Sequence, residues 1–172
     1  MNETFIAVRD FLEMGGQVLN VIAVVIFLMW MLILERIAYF QSELKTLKTA
    51  IQAKWNARSD KKSWASEALR EKLISEFNMS ANQYLPIIKT LVALCPLLGL
   101  MGTVTGMIEV FDVMAVSGSG NARSMASGVS KATIPTMAGM VGALSGVFLA
   151  TLLTQKVTTE VDNLEEQLSQ DD

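Results

Sequence analysis

Residues 90–108 read Thr90-Leu91-Val92-Ala93-Leu94-Cys95-Pro96-Leu97-Leu98-Gly99-Leu100-Met101-Gly102-Thr103-Val104-Thr105-Gly106-Met107-Ile108, without a single charge. As an α-helix this stretch rises about 28 Å, close to the ~30 Å thickness of a bilayer's hydrocarbon core. Two further stretches have the same character, residues 14–34 and residues 132–155. In lipid every backbone N–H and C=O must find a partner within its own segment, so each stretch is expected to be a helix. Buried helices of a soluble bundle are the alternative, but three such stretches in 172 residues leave too little chain to cover them. The fold class expected is an all-α membrane protein with three transmembrane helices and long helices extending into the cytoplasm.

Composition narrows the chemistry. Apolar residues make up 51% of the chain and charged residues 18%, a mix suited to helices in lipid. The net charge of −3 gives no basic surface for nucleic acid. There is no His, which removes the commonest general base and the commonest metal ligand. Cys95 is the single cysteine, so no internal disulfide or cysteine metal cluster can form, and it reads as a small buried hydrophobe. No catalytic residue, metal or cofactor is expected, and the chain does not read as an enzyme.

Charge sets the expected topology. Residues 35–89 carry Arg36, Lys45, Lys48, Lys54, Arg58, Lys61, Lys62, Arg70, Lys72 and Lys89, whereas the opposite side carries only Arg9 and Arg123. The Lys/Arg-rich side is cytoplasmic. Residues 1–14 set Arg9 against Glu3, Asp10 and Glu13, the wrong balance for a cleaved signal peptide. The expected organisation is a periplasmic segment 1–14, transmembrane helix 15–36, cytoplasmic helical region 37–86, transmembrane helix 87–116, periplasmic turn 117–121, transmembrane helix 122–155 and cytoplasmic tail 156–172. Leu44, Leu47, Ile51 and Trp55 recur at helical spacing, as do Trp64, Ala68, Leu69, Leu73 and Phe77. Residues 59–63 read as a turn with a helix cap at Asp60 or Ser63. Neither Gly nor Pro interrupts residues 64–85, so that helix is expected to run straight into the second span. Val157, Val161, Leu164 and Leu168 extend the third span as an amphipathic tail.

The turn Ser117-Gly118-Ser119-Gly120-Asn121 folds the second and third spans into an antiparallel hairpin. With Ser119 at its centre, Thr103 precedes it by 16 residues and Thr136 follows it by 17. Both hydroxyls then sit roughly 25 Å from the turn, at nearly one level. A hydroxyl both donates and accepts, and so can hold or pass a proton through water; alternatively each bonds its own helix backbone, as Thr often does. A stripe of small residues that includes Gly99, Gly102, Gly106, Gly139 and Gly146 lets helix backbones approach closely in lipid. Pro96 and Pro135 fall inside spans, and a carbonyl freed by Pro135 is a candidate to share a water with Thr136. Glu109 and Lys131 fall at similar depth nearer the outside and are expected to form an ion pair, within one subunit or across neighbours, with Asp112 as a second partner. The other reading is that both snorkel separately. Asn20 is expected to make a helix–helix contact, and Glu35 and Arg36 to anchor the first span at the cytoplasmic interface. No acidic residue is placed to relay protons at mid-depth, so an acid would come from another chain.

The run from Leu97 to Ile108, with Gly102-Thr103-Val104-Thr105-Gly106 at its heart, resembles the second-span signature of the ExbB/TolQ/MotA family, and of its ExbB branch most closely. Leu32-Ile33-Leu34-Glu35-Arg36 resembles the end of that family's first span, and Gly128 to Met140 resembles the start of its third. The resemblance implies a homo-oligomeric ring, usually a pentamer, around an ExbD-like single-span protein whose Asp carries the proton. It implies that Thr103 and Thr136 line the pore and face that Asp. It implies that proton flow in the bacterial inner membrane is coupled, through a TonB-like protein, to outer-membrane transport. The family often has Glu where this chain has Lys131, which puts in doubt any mechanism that needs an acid there. The short chain and brief N-terminal region fit a compact ExbB better than TolQ. A TolQ-like or MotA-like stator subunit and a non-conducting membrane assembly scaffold are the rival readings.

Overall fold

The structure, a computed structural model, describes Ile6, Arg9 and residues 16–57, 63–117 and 122–169. It contains helices α1 (Gly16–Asn56), α2 (Trp64–Asn82), α3 (Leu85–Ser117) and α4 (Ala122–Ser169). Among the described residues, three stretches of helix are long and apolar enough to cross a membrane, in Gly16–Asn56, Trp64–Val116 and Met125–Leu168. Of the expected turn 117–121, Ser117 ends α3 and residues 118–121 lie outside the described residues, as does the Asp60 cap.

The chain forms two compact units. One comprises Met1–Trp30 and Lys89–Val147, the other Met31–Ile88 and Phe148–Asp172. In the first, large apolar side chains point outward: Phe27, Leu97, Leu100, Ile108, Phe111, Val141 and Leu144 are all exposed. That inversion is what a lipid-facing surface requires, because hydrocarbon gives no reason to bury Leu or Phe. The interior is filled by small residues and by Leu19, Ile22, Met29, Val92 and Cys95. Asn20, expected to make a helix–helix contact, is exposed in this chain.

Helices α3 and α4 pack antiparallel along the glycines. A Cβ placed on Gly106 would sit 2.7 Å from the Ala132 Cβ, and one on Gly99 would sit 3.0 Å from the Thr136 Cα. One on Gly139 would meet the Cys95 carbonyl oxygen at 2.5 Å, and one on Gly102 would strike the Pro135 ring. Backbone thus approaches backbone, and dispersion between closely packed helices replaces the hydrophobic effect that lipid does not supply. Both α3 and α4 continue through their prolines, Pro96 and Pro135.

The second unit is a helical bundle with an ordinary buried core. Phe40, Leu44, Ile51 and Trp55 of α1 are buried, as are Leu73, Phe77 and Ala81 of α2 and Val157, Leu164 and Leu168 of α4. Lys48 pairs with Glu160 at 3.0 Å, and Gln52 donates to Gln167 one to two turns further on, so α1 and α4 run parallel here. Ser63 stands at the N-cap of α2 in extended conformation, but its side chain makes no capping bond; Ser63 Oγ lies 3.2 Å from Ser66 Oγ instead.

The expected straight run from residue 64 into the second span does not occur. Helix α2 stops at Asn82, and Tyr84 takes a left-handed backbone with φ of 64° before α3 starts at Leu85. Pro86 is the physical cause. Its ring would clash with the carbonyl four residues back in a continuous helix, and it suits the first turn of a new one, where the missing N–H costs nothing.

Candidate functional site

The glycine contacts fix the register of α3 against α4. Gly106 lies against Ala132, Gly102 against Pro135 and Gly99 against Thr136 and Gly139. Thr103 and Thr136 therefore fall within about one residue of the same level, or ~1.5 Å along the helix axis. Both are half-buried.

Their hydroxyls differ in what they bond. Thr103 donates to the Leu100 carbonyl of its own helix at 2.7 Å. Thr136 donates across to the Gly99 carbonyl of α3 at 3.0 Å. The own-backbone alternative thus describes Thr103 and not Thr136. The Thr136 proton goes to Gly99 and not to a water shared with a carbonyl released by Pro135. Each oxygen keeps lone pairs with which to accept a further hydrogen bond. Two acceptors thus stand at nearly one level on helices pinned by backbone contact.

The first unit also contains a groove of about 780 Å³. Gly102 and Pro135 line one part of it, and Gln17, Thr105, Glu109, Ser127 and Lys131 contribute polar groups. The structure thus brings Glu109 and Lys131 to one groove. It does not join them: both are exposed, and no ion pair links them among the described residues. Asp112 is exposed as well and does not pair with Lys131.

The second unit contains Arg36, expected with Glu35 to anchor the first span at the cytoplasmic interface. Only 1% of its surface is exposed, whereas Glu35 remains exposed. The guanidinium lies over the Tyr39 ring at 4.8 Å and the Tyr84 ring at 5.0 Å. Its Nη1 donates to the Ser80 carbonyl at 3.4 Å, and Glu35 lies 3.8 Å from its Nε. Ser80 belongs to the last turn of α2, where carbonyls have no intrahelical partner, so Arg36 caps that end from another helix. Tyr39 and Ser80 complete the cluster with a 2.6 Å hydroxyl–hydroxyl bond. Sequence reasoning found Arg36 but not Tyr39, Ser80 or Tyr84. The Leu85-Pro86 pair was the available signal, since a residue before proline avoids helical backbone.

Comparison with known proteins places this geometry in context. Residues 38–166 match the model of the MotA/TolQ/ExbB proton channel family. A Synechocystis sp. protein named biopolymer transport protein ExbB-like 1 is 38% identical over 79 residues, which cover 44% of this chain and 31% of that protein. ExbB-like 3 of the same organism is 28% identical over 86 residues, covering 49% of this chain and 41% of that protein. An ExbB homolog of Methanothermobacter thermautotrophicus is 27% identical over 133 residues, covering 77% of this chain and 45% of that protein. The chain thus spans less than half the length of each of these relatives. The family model covers most of the sequence and includes the close-packed α3–α4 pair with its two threonines, and the three long apolar helices make this a multi-pass membrane protein. The chain belongs to the MotA/TolQ/ExbB proton channel family.

Proposed function

We propose that this chain is the ring-forming subunit of an ExbB-type proton channel in the bacterial inner membrane, with its N-terminus periplasmic and its C-terminus cytoplasmic. The observation that carries the reading is the level pair of hydroxyls, Thr103 and Thr136, on helices held in backbone contact. Several copies form a sheath around a single-span, ExbD-like partner. The partner's carboxylate carries the proton, because within residues 90–155 the acidic side chains of this chain are Glu109 and Asp112, both nearer the outer end than the two threonines. Thr103 and Thr136 accept hydrogen bonds from that carboxylic acid or from the water beside it. Moving one charge through about 100 mV releases roughly 2.3 kcal/mol, the energy passed on to a TonB-like protein and so to outer-membrane transport.

The test is proton flux into inverted membrane vesicles containing this chain and its single-span partner. T103V and T136V remove the hydroxyls and keep side-chain volume, so flux is expected to fall while the complex still co-purifies. T103S and T136S keep the hydroxyls and are expected to keep flux. Normal flux in the valine variants would leave a non-conducting scaffold as the better reading. A MotB-like partner in place of an ExbD-like one would make the chain a stator subunit.

A further inference from the structure

Glu109 and Lys131 are the first charges beyond the charge-free stretches 90–108 and 132–155, each at the end nearest the 117–121 turn. As a helix, residues 90–108 rise about 28 Å and so fill a hydrocarbon core of ~30 Å. Both charges thus stand where that core ends and phospholipid headgroups begin. The register set by the glycine contacts puts Glu109 opposite residue 129 and Lys131 opposite residue 107. Their levels differ by about two residues, or ~3 Å. Both line the groove of the first unit, which Gln17 and Val18 of α1 also border. Both are exposed, and among the described residues neither forms an ion pair. Thr105 lies in the same groove and donates to the Met101 and Gly102 carbonyls of its own helix, both at 3.1 Å. Its oxygen therefore has only lone pairs left to offer. The α3 wall presents two acceptors, Glu109 and Thr105, and the α4 wall presents a cation, Lys131.

We propose that this groove binds the headgroup of an aminophospholipid, phosphatidylethanolamine, with its phosphate on Lys131 and its ammonium on Glu109. Ionised groups at membrane depth are almost always paired or turned to a cavity. A molecule that serves both groups must carry one charge of each sign close together, and lipid is already present at that level. In this headgroup a short ethylene link joins phosphate to ammonium, so one molecule reaches both walls. Lysine binds phosphate as a point charge, and the ammonium has three N–H bonds for the Glu109 carboxylate and the Thr105 oxygen. Val18, Val110 and Pro135 give the groove an apolar side for the glycerol and the first acyl carbons. An anionic headgroup would satisfy Lys131 but set a second negative charge beside Glu109. Choline would keep the positive charge but has no N–H to donate. The volume of about 780 Å³ falls within the range usual for small-molecule sites, ~300–1,000 Å³. The inference rests on the membrane-spanning helices and not on the proton-channel reading.

Native mass spectrometry of the full chain, released from nanodiscs of equal phosphatidylethanolamine and phosphatidylglycerol, reads which lipid stays bound. The native chain is expected to retain the ethanolamine lipid over the glycerol lipid by about tenfold, the scale of one hydrogen bond to a charged group. E109Q is expected to lose that preference while still binding phospholipid, and K131M to retain neither lipid above background. Phosphatidylcholine offered to the native chain covers the case in which a variant fails to fold, and it is expected to be retained less by a similar factor. A photoactivatable phosphatidylethanolamine is expected to label the peptides around Glu109 and Lys131, and to label them less in K131M. Equal retention of the three lipids by the native chain would overturn the proposal, as would a preference unchanged in E109Q. Labelling confined to other parts of the chain would overturn it too, since a second copy or a partner helix would then cover the groove. Proton flux bears only on the channel reading, so the two fail separately: a chain that conducts but shows no lipid preference loses this site alone.

Discussion

The Thr136 hydroxyl donates a hydrogen bond to the Gly99 carbonyl of the neighbouring helix at 3.0 Å. A carbonyl inside a helix already accepts one backbone N–H, so Gly99 uses its second lone pair here. The bond exists because Gly99 has no side chain to hold the helices apart: a Cβ there would stand 3.0 Å from the Thr136 Cα.

Replacing Thr136 by Val keeps the β-branch and loses the donor. Interhelical hydrogen bonds in membrane proteins contribute about 0.6 kcal/mol on average and at most about 2. T136V should therefore destabilise the folded chain in detergent by about that amount, and T136S by less. T103V should cost less than T136V, since Thr103 bonds only its own helix. Reversible unfolding measured by steric trapping would show the order, and a larger loss in T103V would contradict it.

Two glycines test how rigid the contacts are. An added Cβ meets its nearest atom at 2.5 Å in both Gly139 and Gly146, but that atom is the Cys95 backbone oxygen in the first and the Met29 sulfur in the second. Helix backbone cannot give way, whereas a Met side chain changes rotamer readily. G139A should cost about 1–3 kcal/mol, the usual range for overpacking. It should also weaken the Thr136–Gly99 bond one turn away. G146A should cost less, to the extent that Val92 tolerates the shift. Equal losses in the two variants would show that helix separation, not local fit, sets the cost.

How much of this was legible beforehand depends on the kind of signal. The hairpin register was: Gly99 meets Gly139, Gly106 meets Ala132 and Val92 meets Gly146, each pair symmetric about residue 119, where the Ser-Gly-Ser-Gly turn placed the centre. Glycine turns and charge-free runs constrain the chain locally, so sequence shows them directly. The direction of the Thr136 hydroxyl was not legible, because two acceptors lie within reach of one rotatable bond. The fate of Arg36 was hidden for another reason. Its partners Ser80 and Tyr84 lie more than forty residues away, and only the break caused by Pro86 brings Tyr84 over it.

That break gives an inverted expectation for Tyr84. At φ of 64° a side chain crowds the following carbonyl, at a cost of about 1–2 kcal/mol that glycine escapes. Both Y84G and Y84A lose the ring that covers Arg36. Y84G should nevertheless be the more stable of the two, by about 1 kcal/mol. In an ordinary helix the order would be the reverse, since glycine there is worse than alanine. Thermal unfolding of the two variants in one detergent would decide between these orders, and alanine at least as stable as glycine would mean that residue 84 is not held in the left-handed region.

Arg36 separates an anchor from a cap. If it served only to place positive charge at the membrane boundary, lysine would replace it at no cost, because both snorkel. Buried, with its guanidinium over the Tyr39 and Tyr84 rings at 4.8 and 5.0 Å, it instead meets two rings while Nη1 reaches the Ser80 carbonyl. An ammonium group is a compact, strongly hydrated charge that cannot meet two rings and cap a helix at once. R36K should therefore destabilise the chain by about 1–2 kcal/mol, the scale of one desolvated cation–π contact. The loss should appear as faster amide hydrogen exchange in the last turn of α2, around Ser80 to Asn82, where the cap acts. Removing the hydroxyl with Y39F should loosen the same turn by a smaller amount, because the Tyr39–Ser80 bond goes while the ring stays under Arg36. Unchanged exchange at that turn in R36K would mean that lysine serves as well, and that charge alone is what position 36 supplies.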